Sequence, residues 1–197
     1  MTVIGVDPSL NSTGICVDED GNLTYYLLAT KPTKKAIKAA NDIDRLCLVQ
    51  IRKDECVQGE KSQRKSVFQQ INTTTNIAHM ADAVIDIIKC HAPDYVIIEA
   101  PAFHANGRVI DLAGLNHAIR LGCYRADIPI YPISPTTVKA HTAGSGWASK
   151  DMMVMTWEAL EPDGKEWASN GIKVDDLADA WALASFDLST IDIEPGE

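Results

Sequence analysis

The chain has 197 residues, 46% of them hydrophobic and 23% charged, with a net charge of −9 at neutral pH. That length and apolar content suit one domain over residues 1–197 with a sizeable core. The acidic balance argues against a protein that coats nucleic acid nonspecifically, because such binding needs lysines and arginines to displace phosphate counterions. The start, MTVIGVDPSL, lacks the basic segment and long apolar run of a secretory leader, and no stretch approaches the ~18 apolar residues of a membrane span. A cytoplasmic protein with no membrane partner is therefore expected.

Cys16, Cys47, Cys56, Cys90 and Cys123 are far apart, odd in number and free of CxxC spacing, so they read as reduced, mostly buried thiols rather than disulfide or zinc ligands. The charge is segregated. Lys31 to Lys65 holds ten Lys or Arg against five Asp or Glu, whereas Asp151 to Glu197 holds twelve acids against two bases.

Short β-branched runs at Thr2–Val6, Gly14–Val17 and Leu23–Ala29, the last two joined by the turn-forming Asp18–Asn22, predict three antiparallel strands. Residues 31–66 have no clean period, with Arg45–Ile51 open between helix and strand, and read as a variable charged insertion. Ile71, Thr74, Ala78, Ala81, Ile85 and Ile88 recur along one face of a helix over Phe68–His91. His-Ala-Pro-Asp94 ends it, and Tyr95–Ile98 reads as a strand buried on both faces. A second helical stripe follows at Val109, Leu112, Leu115, Ile119 and Cys123. Ile128–Ile133 is a fifth strand, and Lys150–Leu160 and Val174–Leu188 are further helices, with Met152, Met153, Met155 and Trp157 at core and rim. A hairpin meander followed by alternating helices and strands implies an α/β fold with a mixed five-stranded sheet, its first three strands antiparallel, flanked by helices.

Asp7 and Glu99 each end an apolar strand and are followed within two residues by proline, and sites in open α/β sheets gather at strand ends. Neither has a basic neighbour in sequence, and a charge beside an apolar run is costly unless paired or bound to metal. Asp176 and Asp179 are three apart in a helix, so both project from one side. Asp175 reads as complementing the helix dipole. Carboxylates from several elements, without a His and Cys cluster, suit Mg²⁺, with Mn²⁺ as substitute, rather than zinc. Two such ions would support phosphodiester cleavage.

These motifs resemble the RuvC-type Holliday-junction resolvases, members of the RNase H-like nucleases, in a phage-like or divergent branch. IGVDPSLNSTG, residues 4–14, looks like the family's I-G-I-D-P-G-x-x-x-T-G, with Ser9 in place of glycine. Ile97-Ile-Glu99 matches its second-acid strand, and Asp176-Leu-Ala-Asp179 its closing acidic pair. Val138-Lys139, Gly144, Gly146 and Lys150 match V-K-x(4)-G-x-G-x(3)-K throughout, which is the most specific of the four. Only residues 31–66, longer than the family's segment, fall outside the likeness.

The resemblance implies a homodimeric, metal-dependent endonuclease that nicks branched DNA symmetrically and leaves 5′-phosphate and 3′-hydroxyl ends. Asp7, Glu99, Asp176 and Asp179 would hold the metal, and Lys139 and Lys150 would steady the scissile phosphate. Family members often carry an aromatic three residues after the second acid; here that position is Ala102 and Phe103 follows, a candidate unstacking wedge. Asn106 and Arg108 are candidate DNA contacts, as are Gly144, Gly146 and Trp147, the last by stacking on a base. His104 and His141 read as structural or exposed rather than as ligands. Two alternatives stay open: a noncatalytic junction-binding protein on the same fold, and an actin-like or sugar-kinase-type ATPase, which would normally need a second such subdomain.

Overall fold

The computed structural model describes residues 1–53, 63–101 and 109–191, with 63–68 as backbone only. Strands β1 (Thr2–Asp7), β2 (Ser12–Glu19) and β3 (Asn22–Ala29) form the expected antiparallel meander. Asp20 and Gly21 take φ of 52° and 90°, the left-handed pair that a two-residue hairpin loop requires, and the Gly21 amide donates to the Asp18 carboxylate at 2.7 Å. On the other side of β1, strands β5 (Tyr95–Glu99) and β6 (Ile130–Ile133) continue the sheet in parallel.

The sheet has six strands rather than five, in the order β4-β3-β2-β1-β5-β6. The additional one, β4 (Leu46–Gln50), pairs in parallel with β3 at the edge, with Tyr25 opposite Leu46 and Ala29 opposite Gln50. It follows helix α1 (Lys34–Ala40), capped by the Thr33 hydroxyl, which accepts from the Ala36 amide. Much of the supposed insertion is thus a crossover unit of the sheet. Its pattern was blurred because an edge strand has a single neighbour, leaving Cys47 and Gln50 exposed.

Period-2 alternation sorts the strand residues onto two faces. On one, Ile4, Val6, Ile15, Val17, Val96 and Ile98 pack against helices α2 (Gln63–His91) and α3 (Val109–Arg125), through Met80, Val84, Ile88, Leu115 and Ile119. On the other, Cys16, Tyr25 and Ile97 meet four further helices: α4 (Pro135–Ala143), α5 (Lys150–Glu158), α6 (Gly164–Ser169) and α7 (Val174–Ala184). Helix α7 lies directly on β1 and β2. A Cβ on Gly5 would collide with the Ala180 carbonyl, and one on Gly14 with the Asp176 carbonyl, so these two glycines set how closely the helix settles.

Of the thiols, Cys16 and Cys123 are buried but Cys47 and Cys90 are exposed; Cys56 lies outside the described residues. Met153 and Trp157 are core residues, whereas Met152 and Met155 are exposed. No helix among the described residues is long and apolar enough to cross a membrane.

The edge unit is pinned to the α5–α6 turn by a buried carboxylate. Glu161, 1% exposed, accepts two bonds from the Arg45 guanidinium at 2.9 and 2.8 Å and one from the Tyr25 hydroxyl, which in turn accepts from the Trp157 indole at 3.0 Å. Removing the cation would strand a buried charge, though the half-exposed Arg45 leaves room for water to replace part of the bond. Arg45→Met is expected to destabilise the fold by about 2 kcal/mol in urea denaturation, and adding Glu161→Gln should restore part of the loss.

Candidate active site

Alternation brings the predicted strand acids to the α7 face. Asp7 and Glu99 each stand one residue beyond the paired Val6 and Ile98, so the two carboxylates close adjacent strand ends. The loop after Asp7 is held by Thr13, fully buried, whose hydroxyl donates to the Ser9 carbonyl at 2.9 Å and accepts from the Ser9 amide at 3.0 Å. The end of β5 is held from the α2–α3 side: buried Asn116 donates to the Glu99 carbonyl at 2.8 Å.

Helix α7 carries Asp176 and Asp179 into the same field. All four acids are shifted upward, and burial is the first cause for each. Asp7 is raised well above the carboxylate range by burial, then by the charges of Glu99, Asp179 and Asp176, against which Lys150 works. Glu99 is pushed up to about 7 by burial and by Asp179, with Lys139 and Lys150 opposing. Burial also leads for Asp179, partly offset by the same two lysines, and for Asp176, offset by a hydrogen bond from Ser12.

Lys139 comes from α4 and Lys150 begins α5, so both motif lysines act on the acids. Between them, Gly144 ends α4 in the left-handed conformation at φ 72°, and a Cβ on Gly146 would press on the Thr136 carbonyl at 3.0 Å. Trp147, in the same turn, is 93% exposed. His141 is elsewhere: its ring meets Phe186 beyond the far end of α7 at a tilt of 49°, with centroids 4.8 Å apart. Phe103, His104, Asn106 and Arg108 lie outside the described residues.

Three site residues escaped the sequence reading. Ser12, 3% exposed, donates from its hydroxyl to Asp176 Oδ2. Lys173 Nζ lies 3.6 Å from that same oxygen. Asp175, more than a helix-dipole residue, accepts from Lys150 Nζ at 3.2 Å. Ser12 opens β2 as a polar residue ahead of an apolar run, but its partner is 164 residues away.

Among the described residues, no three Asp, Glu, His or Cys side chains stand close enough together, as placed, to hold a metal ion. The donor set fits a hard divalent cation through its chemistry: carboxylate oxygens without His or Cys, raised first by burial and then by mutual repulsion, the part a cation would relieve. Each acid binds its proton more tightly when folded, so its destabilising contribution is absent below the unfolded value, near 4, and complete above the folded one, about 7 for Glu99. In chelator, the melting temperature should be higher at pH 5.5 than at pH 8, and Asp7→Asn should flatten the difference; a profile rising with pH in that window would contradict it.

A mixed sheet of this order, with acids closing β1 and its parallel neighbour β5 beneath an acid-bearing helix, is an RNase H-like fold. A profile of the family "Crossover junction endodeoxyribonuclease RuvC" matches residues 65–186. The chain belongs to the RuvC family. Similar proteins bearing that description include one from Salinibacter ruber, 27% identical over 56% of this chain and 59% of its own length, and one from Bacteroides fragilis, 30% identical over 42% and 44%. Little more than half of the first relative, and less than half of the second, is thus spanned. A third, from Caldicellulosiruptor saccharolyticus, is 26% identical over 93% of this chain and 90% of its own length. The fold is shared with the Thermus thermophilus RuvC structure, with a TM-score of 0.54 and 20% identity over 93% and 91% of the two chains. The T. thermophilus protein in complex with a Holliday junction substrate gives 0.53 and 21% over 93% and 90%.

Proposed function

We propose that the chain is a single nuclease domain, residues 1–197, that acts as a homodimer to resolve Holliday junctions or related branched DNA by symmetric nicking in the cytoplasm. The observation that carries this reading is the convergence of Asp7, Glu99, Asp176 and Asp179 from three elements with Lys139 and Lys150 in their field, in a chain of the RuvC family. A two-fold dimer presents one site to each of two related strands of a four-way junction, which makes paired nicks possible.

The four acids would hold Mg²⁺ or Mn²⁺, which when bound supplies water activation and charge neutralisation at the leaving oxygen. The chain's own residues do the rest. Asp7 and Glu99 are fixed by the strands they close, and Ser12 occupies one oxygen of Asp176, which orients the carboxylate and leaves the second oxygen for a ligand. Lys139 and Lys150 neutralise non-bridging phosphate oxygens, Lys150 exchanging its Asp175 contact for phosphate. Water bonds to phosphorus as the P–O3′ bond breaks, and the departing oxygen takes a proton, giving 5′-phosphate and 3′-hydroxyl ends. Trp147, exposed between the lysines, offers a face on which a base stacks.

Mapping cleavage on four-way junctions, forks, flaps and linear duplex, with Mg²⁺, Mn²⁺ or chelator, tests the reading. Paired nicks at the junction that require the cation are expected. Binding without nicking in either cation would make the protein a junction-binding module, and preference for linear duplex would remove the resolvase assignment.

A further inference from the structure

The edge unit and the α6–α7 turn enclose a cavity of about 340 Å³ beside the acids, a volume within the ~300–1,000 Å³ of small-ligand pockets. Its floor is apolar, formed by Leu27, Ala36 and Leu48, and its rim carries Lys31, Lys53 and Lys173. It shares a wall with the acid site. Ser12 lines the cavity and donates to Asp176, and neighbouring Asn11 accepts from Lys53 Nζ at 3.3 Å. Lys173 faces both, on the rim and 3.6 Å from Asp176.

We propose that this cavity seats one nucleotide of the DNA strand that passes through the acid site, its base on the apolar floor and its flanking phosphates on Lys31 and Lys53. The inference rests on the nuclease reading above. A site for a small anion alone has no need of an apolar floor, and a site for an apolar ligand has no need of three lysines; a nucleotide uses both, the cations for phosphate and the floor for a ring face. The placement agrees, since Ser12 both lines the cavity and bonds Asp176, which sets the cavity next to the acids. The charge agrees as well. Lys31 and Lys53 belong to the positive segment of an acidic chain, lie outside the stretch matched by the family profile, and line the cavity together with Ser12.

The test uses the full chain in an Asp7→Asn background, to prevent cutting, and junctions carrying 2-aminopurine at each position within three nucleotides of the nicked bond. One position is expected to brighten on binding as its base leaves the stack. Lys31→Met with Lys53→Met should weaken binding about 10-fold and reduce the log–log salt slope by about 2, as expected for two lost phosphate contacts. Leu48→Trp, which fills the floor, should abolish the brightening and leave the salt slope in place. Unchanged affinity and slope in the lysine variant overturn the proposal while the nuclease reading stands. Brightening nowhere, with the slope reduced, also overturns it, since the lysines then contact phosphate without a seated base. A wild-type chain that binds no branched DNA overturns both readings together.

Discussion

Replacing Asp7 with asparagine is expected to reduce junction cleavage by roughly 10³-fold or more while binding persists. Asp7 closes β1, and the charges of Glu99, Asp179 and Asp176 all act on it. The amide keeps the size and one acceptor oxygen but loses the charge that a divalent cation needs. Binding should survive because Lys139, Lys150 and Trp147 remain, and removing a negative charge lowers repulsion of the phosphates. The same change should raise the melting temperature in chelator at pH 8, where the acids repel one another most. Single-turnover cleavage, gel-shift affinity and thermal denaturation of one preparation give all three readings. Cleavage retained within about 10-fold would remove Asp7 from the proposed site.

How far the sequence could be read depended on where each partner lies. Asp7 and Glu99 were legible because a carboxylate ending an apolar strand is a local anomaly, and Asp176 with Asp179 because helical spacing puts them on one side. The Lys139–Lys150 segment was legible through its spacing, although α4 itself, begun by Ser134 and Pro135, was not assigned. Strand β4 stays undecided between helix and strand in the sequence because half-buried edge residues carry a weak period, and α6 is not legible because six residues are too few to show one. Ser12 has no role legible in the sequence because its bond to Asp176 depends on the approach of α7 to β2, a contact made only in three dimensions, whereas Lys173 lies three residues before Asp176 and its contact is a local helical pair. Asp175 was read from its helix position alone, which hid its bond to Lys150.

That approach makes Gly14 the second position of large expected effect, although it contributes no functional group. Gly14 is paired with Asp7 across β1 and β2, and its α-carbon faces the Asp176 backbone so closely that a methyl group has no space. The obstructing atoms are main-chain atoms of a buried helix, not the end of a flexible side chain, so relief requires α7 to lift or slide. Any such movement carries Asp176 away from Ser12 and from Asp7 at once. Gly14→Ala should therefore cost about 2–3 kcal/mol in stability, in the range of other overpacked cores, and reduce cleavage about 10²-fold through misplacement of the acids. Gly21→Ala is the control: it has open space but a left-handed backbone at φ 90°, so it should cost stability and leave cleavage of the folded protein unchanged. If Gly14→Ala lost stability alone, with cleavage per folded molecule intact, the close seating of α7 would serve the core and not the site.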